Sequence, residues 1–121
     1  KQKFINYRFQ LNGMQVPLEI DSGACNSLIS MDQVQRLNVK INPSGKNFSA
    51  YGDAKVTIMI RGEIDLDVVF NNKTVKHIFY VTNPRYSNLC GRGLMKKFGI
   101  KLTGLNENDR VNAIDSNYDV N

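Results

Sequence analysis

Residues 16–23 read Val-Pro-Leu-Glu-Ile-Asp-Ser-Gly. Val16, Leu18 and Ile20 repeat at a period of two, as in a strand with one buried face. That strand runs straight into a carboxylate, Asp21. A charge at the end of a half-buried strand is poorly solvated, and its placement makes sense where chemistry needs it. Ser22 and Gly23 then allow a tight turn, because a hydroxyl bonds nearby backbone and glycine tolerates positive φ. Asp-Ser-Gly is also a common turn, so the surrounding chain has to decide between the two readings.

Residues 4–11 read as the partner strand, and Asn12-Gly13 is a type I′ hairpin signal between the two. Residues 26–29 are extended again. Ser30 caps a short helix with Gln33 as its capping-box partner, and Val34 and Leu37 form the helix's apolar face. Pro43, Ser44 and Gly45 mark a loop. A β-rich stretch over residues 55–70 is bent or bulged at Gly62. In it Ile64, Leu66 and Val68 face inward, while Glu63, Asp65 and Asp67 face water. Asn71-Asn72 makes a second hairpin turn, from which residues 75–81 return. After a loop at Asn83-Pro84-Arg85-Tyr86, Leu89 and Cys90 re-enter the core. A helix covers residues 93–98, Gly99 caps it, and residues 100–102 read as a last strand. Two hairpin strands, a break and a short helix thus occur twice, once around Asp21 and once around Gly91. Only the first break carries a carboxylate.

A chain of 121 residues with 41% hydrophobic content makes one domain. Residues 1–105 form it, and residues 106–121 are a polar tail with too little to bury to hold a fixed structure. No apolar run approaches the length of a membrane span. A chain that opens at Lys1 looks excised from a longer one. Cys25 and Cys90 are too few for a disulfide framework and are not spaced for a metal, which points to a reducing compartment. Neither has a histidine arranged to activate it, and His77 has no second ligand at metal spacing. Net charge is +5, and the last sixteen residues hold four acids and one arginine, so the first 105 carry +8. Such a surface attracts nucleic acid non-specifically. The basic residues are scattered, however, without interleaved aromatics, and a solvated face is the favoured reading.

Asp21-Ser22-Gly23-Ala24 after a strand resembles the active-site loop of aspartic proteases. Asn88-Leu89-Cys90-Gly91-Arg92, followed by the helix-like block from Gly93 to Gly99, resembles the Gly-Arg block of retropepsins. The blocks stand in the family's order about seventy residues apart, and the resemblance spans roughly residues 4–105. It looks most like the proteases of gypsy-type LTR retrotransposons, with vertebrate retroviral proteases as more distant kin. It implies an all-β fold, a closed β-barrel with one or two short helices, and an aspartic endopeptidase that uses no metal or cofactor.

In that chemistry two carboxylates share one proton, because like charges about 3 Å apart cannot both ionise. Pepsin-like enzymes hold two such motifs in one long chain. Here there is one, so the second is Asp21 of another copy across a two-fold axis. By the same resemblance, Ser22 anchors the paired loops, Gly23 offers its carbonyl to substrate, Ala24 and Leu89 line subsites, and Arg92 braces the site. A flap over the bound polypeptide lies between residues 48 and 60, with Tyr51 and Gly52 at its tip touching substrate. Two departures stand out. Cys25 replaces the acid that often pairs with the family's arginine, which leaves the partner of Arg92 open, and the second block reads Gly-Arg-Gly. The implied enzyme is a homodimer that processes a Gag-Pol type polyprotein in the cytoplasm, within virus-like particles. Two alternatives stay open. One is a cellular retropepsin-like protease joined to ubiquitin-like regions. The other is a non-catalytic basic β-domain that binds nucleic acid or protein, with Asp21 a mere turn residue.

Overall fold

A computed structural model describes residues 5–45, 48–49, 57–103 and 110–111. Strand β1 (Asn6–Leu11) and β2 (Met14–Ile20) pair antiparallel around Asn12 and Gly13. Both turn residues have positive φ, 49° and 89°, the backbone that a type I′ turn demands. Strand β3 (Ser27–Ser30) leads into helix α1 (Met31–Leu37). Strands β4 (Phe48–Ser49) and β5 (Thr57–Ile58) pair by themselves. The long hairpin β6 (Gly62–Phe70) and β7 (Lys73–Thr82) turns at Asn71 and Asn72, again both at positive φ. Strand β8 (Leu89–Cys90) feeds helix α2 (Arg92–Phe98), and β9 (Leu102–Thr103) pairs with β10 (Arg110–Val111).

Six strands close into a barrel in the order β1-β2-β8-β3-β7-β6, sealed where β6 meets β1. The duplication read in the sequence explains the closure. Each unit is a hairpin followed by a short strand, and that short strand lies parallel to the second hairpin strand of the other unit. Thus β8 runs beside β2 and β3 beside β7, while β3 and β8 touch antiparallel between them. Neither unit could satisfy its own edges, and the exchange removes them.

Alternation fills the barrel. Val16, Leu18 and Ile20 of β2, Ile64, Leu66 and Val68 of β6, and Phe9 and Leu11 of β1 are all buried. Phe9 stacks on Phe70 at 4.5 Å between ring centroids and meets Phe98 of α2 at 5.8 Å, which ties the helix to the barrel. Glu63, Asp65 and Asp67 point away from the core, and Asp67 pairs with Lys76 at 2.9 Å.

Three local expectations change in detail. Ser30 does cap α1, its Oγ accepting the Gln33 N–H at 3.3 Å. Gln33 does not reciprocate, because its amide reaches Met14 Sδ, and the Ser30 N–H instead donates to Asn88 Oδ1 at 2.8 Å. Gly62 starts β6 rather than bulging it. Its φ of 154° and the crowding of the Ile41 side chain and the Asn42 carbonyl leave no room for a Cβ. Finally, within the tail read as too polar to hold structure, Arg110 and Val111 pair with β9. Residues 104–109 and 112–121 lie outside the described residues, as do Tyr51 and Gly52 of the expected flap tip. The limbs of that hairpin are β4 and β5, in register Phe48↔Ile58 and Ser49↔Thr57.

Candidate active site

Asp21 leaves the end of β2, where the Asp21 N–H donates to the Cys90 carbonyl at 3.0 Å. Parallel pairing of β2 with β8 therefore fixes the point at which the carboxylate emerges. The turn then folds on that side chain. Asp21 Oδ1 accepts the Gly23 N–H at 2.9 Å, and the Asp21 carbonyl accepts the Ala24 N–H at 3.1 Å. A side chain bonded to the backbone two residues on is an Asx turn, and here it holds the carboxylate in one orientation. Asp21 is half-buried, Ser22 and Gly23 are exposed, and Ala24 lies between.

The loop is strapped to the start of α2. The Arg92 N–H donates to the Ala24 carbonyl at 2.7 Å, and the Gly91 N–H donates to Ser27 Oγ at 3.0 Å. Gly91 has an ordinary φ of −84°. It is glycine for room, since a Cβ there would stand 2.6 Å from the Asn26 carbonyl carbon and 2.9 Å from the Ala24 oxygen. The side chain of Arg92 finishes the strap. Nη1 donates to the Ser22 carbonyl at 2.8 Å and Nη2 to Cys25 Sγ at 2.6 Å. The open question of its partner is answered, because sulfur and a backbone carbonyl take the place of an acid. Asp21, Ser22, Gly23 and Ala24 thus lie on one loop, with Arg92 bonded across it.

The second copy of the unit has its own version of this turn. Asn83 Oδ1 accepts the Arg85 N–H at 3.2 Å, and the Asn83 carbonyl accepts the Tyr86 N–H at 3.2 Å. Asn83 is therefore the counterpart of Asp21. Gly91, read in the sequence as that counterpart, matches Ser30 instead, since each is the N-cap of its helix. The loop before the two-residue strand β8 hid this correspondence, which the Asn at the end of β7 could have signalled.

On the outer face of the barrel, cross-strand neighbours form a row from Glu19 through Leu89 and Leu28 to Tyr80. Leu28, Ile58 and Tyr80 make a buried cluster separate from the core, and Ile60, Tyr86 and Leu89 pack on it. Leu89, expected to line a subsite, thus packs on an apolar cluster one strand over from Glu19. The sequence did not single out Glu19, Asn83 or Asn88.

The other titratable groups stand apart. Cys90 is buried and its thiol is pushed up to about 12 by desolvation, whereas Cys25 is exposed, and both are free. His77 packs edge-on to Phe79 at 5.7 Å with its Nδ1 buried and unbonded. Burial first and then Lys97 push its pKa down to about 4, and Asp65 opposes them. Among the described residues no group of three or more His, Cys, Asp or Glu could hold a metal, and no helix is long and apolar enough to cross a membrane.

No protein-family model and no curated protein matches the chain. Solved structures do. EIAV protease complexed with the inhibitor HBY-793 is similar at a TM-score of 0.67 and 16% identity, over 84% of this chain and 93% of that one. The retroviral protease-like domain of Ddi1 from Leishmania major gives 0.63 and 17%, over 94% of this chain and 88% of that one. A retropepsin-like aspartic protease from Rickettsia conorii gives 0.62 and 18%, over 83% and 76%. With its closed six-stranded barrel and two short helices, the chain has the retropepsin-like fold.

Proposed function

We propose that this protein is an aspartic endopeptidase that acts as a homodimer, with Asp21 as its catalytic carboxylate. The observation that carries the reading is the state of Asp21. It is half-buried at a strand end, held by the Gly23 N–H and backed by the Arg92 strap. One chain supplies one such carboxylate, and its internal counterpart Asn83 is an amide, so the second carboxylate comes from Asp21 of a second copy.

Across that pair, the ionised carboxylate takes a proton from water as the water oxygen attacks the peptide carbonyl carbon. The protonated one gives its proton to the carbonyl oxygen. Collapse of the tetrahedral intermediate breaks the C–N bond: the first carboxyl passes the proton it took from water to the leaving nitrogen, and a hydroxyl of the intermediate returns its proton to the second carboxylate as the new carboxyl group forms. The substrate is an extended polypeptide with its scissile bond over Asp21, with Gly23 offering its carbonyl to the substrate backbone and Ala24 and Leu89 lining subsites. Release from, and processing of, a retroelement polyprotein is the biological setting we favour. The likeness to the Ddi1 domain, which spans 94% of this chain, supports a cellular setting as a second reading.

Asp21→Asn keeps the shape of the side chain and removes the shared proton. Cleavage of an unstructured peptide library should disappear while the circular dichroism spectrum and melting temperature stay near those of the parent. A chelator should leave the parent's activity intact. Residual cleavage by purified Asp21→Asn protein removes the assignment.

A further inference from the structure

One residue beside the catalytic carboxylate has no role in the chemistry above. Glu19 precedes Asp21 by two positions at the end of β2, so the two side chains leave on the same face, opposite Leu18 and Ile20. Two residues along a strand span about 7 Å. Same-side chains of an extended substrate are spaced identically, so with its scissile bond at Asp21 a flanking side chain lies over Glu19.

The surroundings of Glu19 suit a charged visitor. Its backbone N–H donates to the Asn88 carbonyl at 2.8 Å, and its cross-strand neighbours are Leu89 on β8 and Asn6 on β1, with Arg8 two residues further along β1 opposite Pro17. Among the described residues no lysine or arginine pairs with it, the one ion pair there being Lys76–Asp67. Burial first, and then the negative charge of Asp21, raise its pKa, while the nearby Ser87, from the loop that precedes β8, works the other way. A half-buried carboxylate without a cationic partner is costly, and a cation arriving with the substrate relieves that cost. The row runs on through Leu89, Leu28 and Tyr80, all uncharged, and meets its next carboxylate only at Glu63, four strands away on β6.

We propose that Glu19 forms an acidic subsite next to the scissile bond and selects substrates with Lys or Arg in a residue flanking it. The inference rests on the endopeptidase reading of Asp21. A Glu19 that merely steadied the strand would alter stability and leave the ranking of substrates unchanged.

The test is a cleavage profile of an unbiased peptide library, followed by kcat/KM on matched peptides with Lys or norleucine at the flanking position. The parent should enrich Lys and Arg there and favour Lys about tenfold. In Glu19→Gln that ratio should fall to about one. The ratio should also rise with pH as the Glu19 carboxyl ionises, and fade toward acid. The library profile needs no variant, so a poorly folding Glu19→Gln does not block the decision. Absence of Asp21-dependent cleavage refutes the endopeptidase reading. Cleavage without basic enrichment, a ratio flat with pH, or a preference that survives in Glu19→Gln overturns the acidic subsite alone.

Discussion

Gly91 and Gly93 lie two residues apart at the start of α2, yet they should respond to alanine in opposite ways. A Cβ at Gly91 meets backbone, 2.6 Å from the Asn26 carbonyl carbon and 2.9 Å from the Ala24 oxygen. Backbone cannot swing aside as a flexible side chain can, so the segment from Ala24 to Asn26 must shift. That strains the Arg92 N–H to Ala24 carbonyl bond at 2.7 Å and the Gly91 N–H to Ser27 Oγ bond at 3.0 Å. Each bond contributes about 1 kcal/mol net, and leaving a buried group unpaired costs about 1–3 kcal/mol more, so Gly91→Ala should lose about 3 kcal/mol. With a urea slope of about 2 kcal/mol/M, the midpoint should fall by about 1.5 M, measured at one fixed protein concentration. At Gly93 the added Cβ meets His77 Cε1 at 3.5 Å and the Cys25 oxygen at 3.6 Å, ordinary contacts in a helix. Gly93→Ala should therefore gain about 0.5–1 kcal/mol from propensity. Cleavage should suffer in Gly91→Ala before unfolding begins, because the shifted segment carries the active-site loop. A Gly91→Ala midpoint within about 0.3 M of the parent, or an equal fall in Gly93→Ala, refutes the steric account.

Two further outcomes are expected. Folding holds His77 neutral, with its pKa lowered from 6.5 to about 4, so the unfolded chain takes up the proton first as pH falls. Its contribution is then complete above about pH 6.5 and lost toward pH 4, about 1–2 kcal/mol once discounted for the half-exposed setting. His77→Leu should flatten that part of a plot of urea midpoint against pH, and an unchanged slope counts against it. At Cys25, alanine leaves Arg92 its bond to the Ser22 carbonyl, so cleavage should stay within about tenfold, near 1.4 kcal/mol of barrier. Cys25→Asp should raise stability by about 0.2–1 kcal/mol as an exposed ion pair does. Complete loss of cleavage in folded Cys25→Ala would point to a thiol mechanism instead.

What the sequence made legible was local. Asn12-Gly13 and Asn71-Asn72 declare hairpins because both residues of each turn must take positive φ. The period of two in β2 and β6 shows which side chains enter the barrel, and Asp-Ser-Gly marks the active-site turn by its own hydrogen bonds. What stayed hidden depends on pairing between distant segments. Asn88 caps Ser30 from 58 residues away, and Cys25 meets Arg92 from 67 away, contacts that no local pattern encodes. The matching of Asn83 to Asp21 was masked by the brevity of β8. Glu19 was passed over because its neighbours Leu89 and Ser87 come from elsewhere in the chain.

The C-terminal segment divides between protomer and dimer, and where the chain is cut decides which is probed. Ile100 is buried in the barrel core, 5% exposed, and its N–H donates to the Met95 carbonyl at 2.8 Å. Truncation after Gly99 therefore removes a core side chain worth about 2 kcal/mol and would confuse protomer stability with association. Truncation after Lys101 keeps Ile100 and deletes β9. That strand joins β10 in a two-stranded ribbon of two residues each, outside the barrel sheet. Ribbons so short are marginal in water, and their free edges are satisfied when further strands add to them. A second copy of the chain supplies such strands in the proposed homodimer. Ending the chain after Lys101 should leave the urea midpoint near the parent's but weaken association, so that cleavage per molecule falls on dilution. Ending it after Leu105 deletes β10 and keeps β9, and cleavage should then persist across the same dilution series. Sedimentation and peptide cleavage on both proteins, over the same concentrations, separate the outcomes. If the chain ending at Lys101 sediments and cleaves like the parent at every dilution, β9 is not the clasp, and the active-site loops hold the two copies together by themselves.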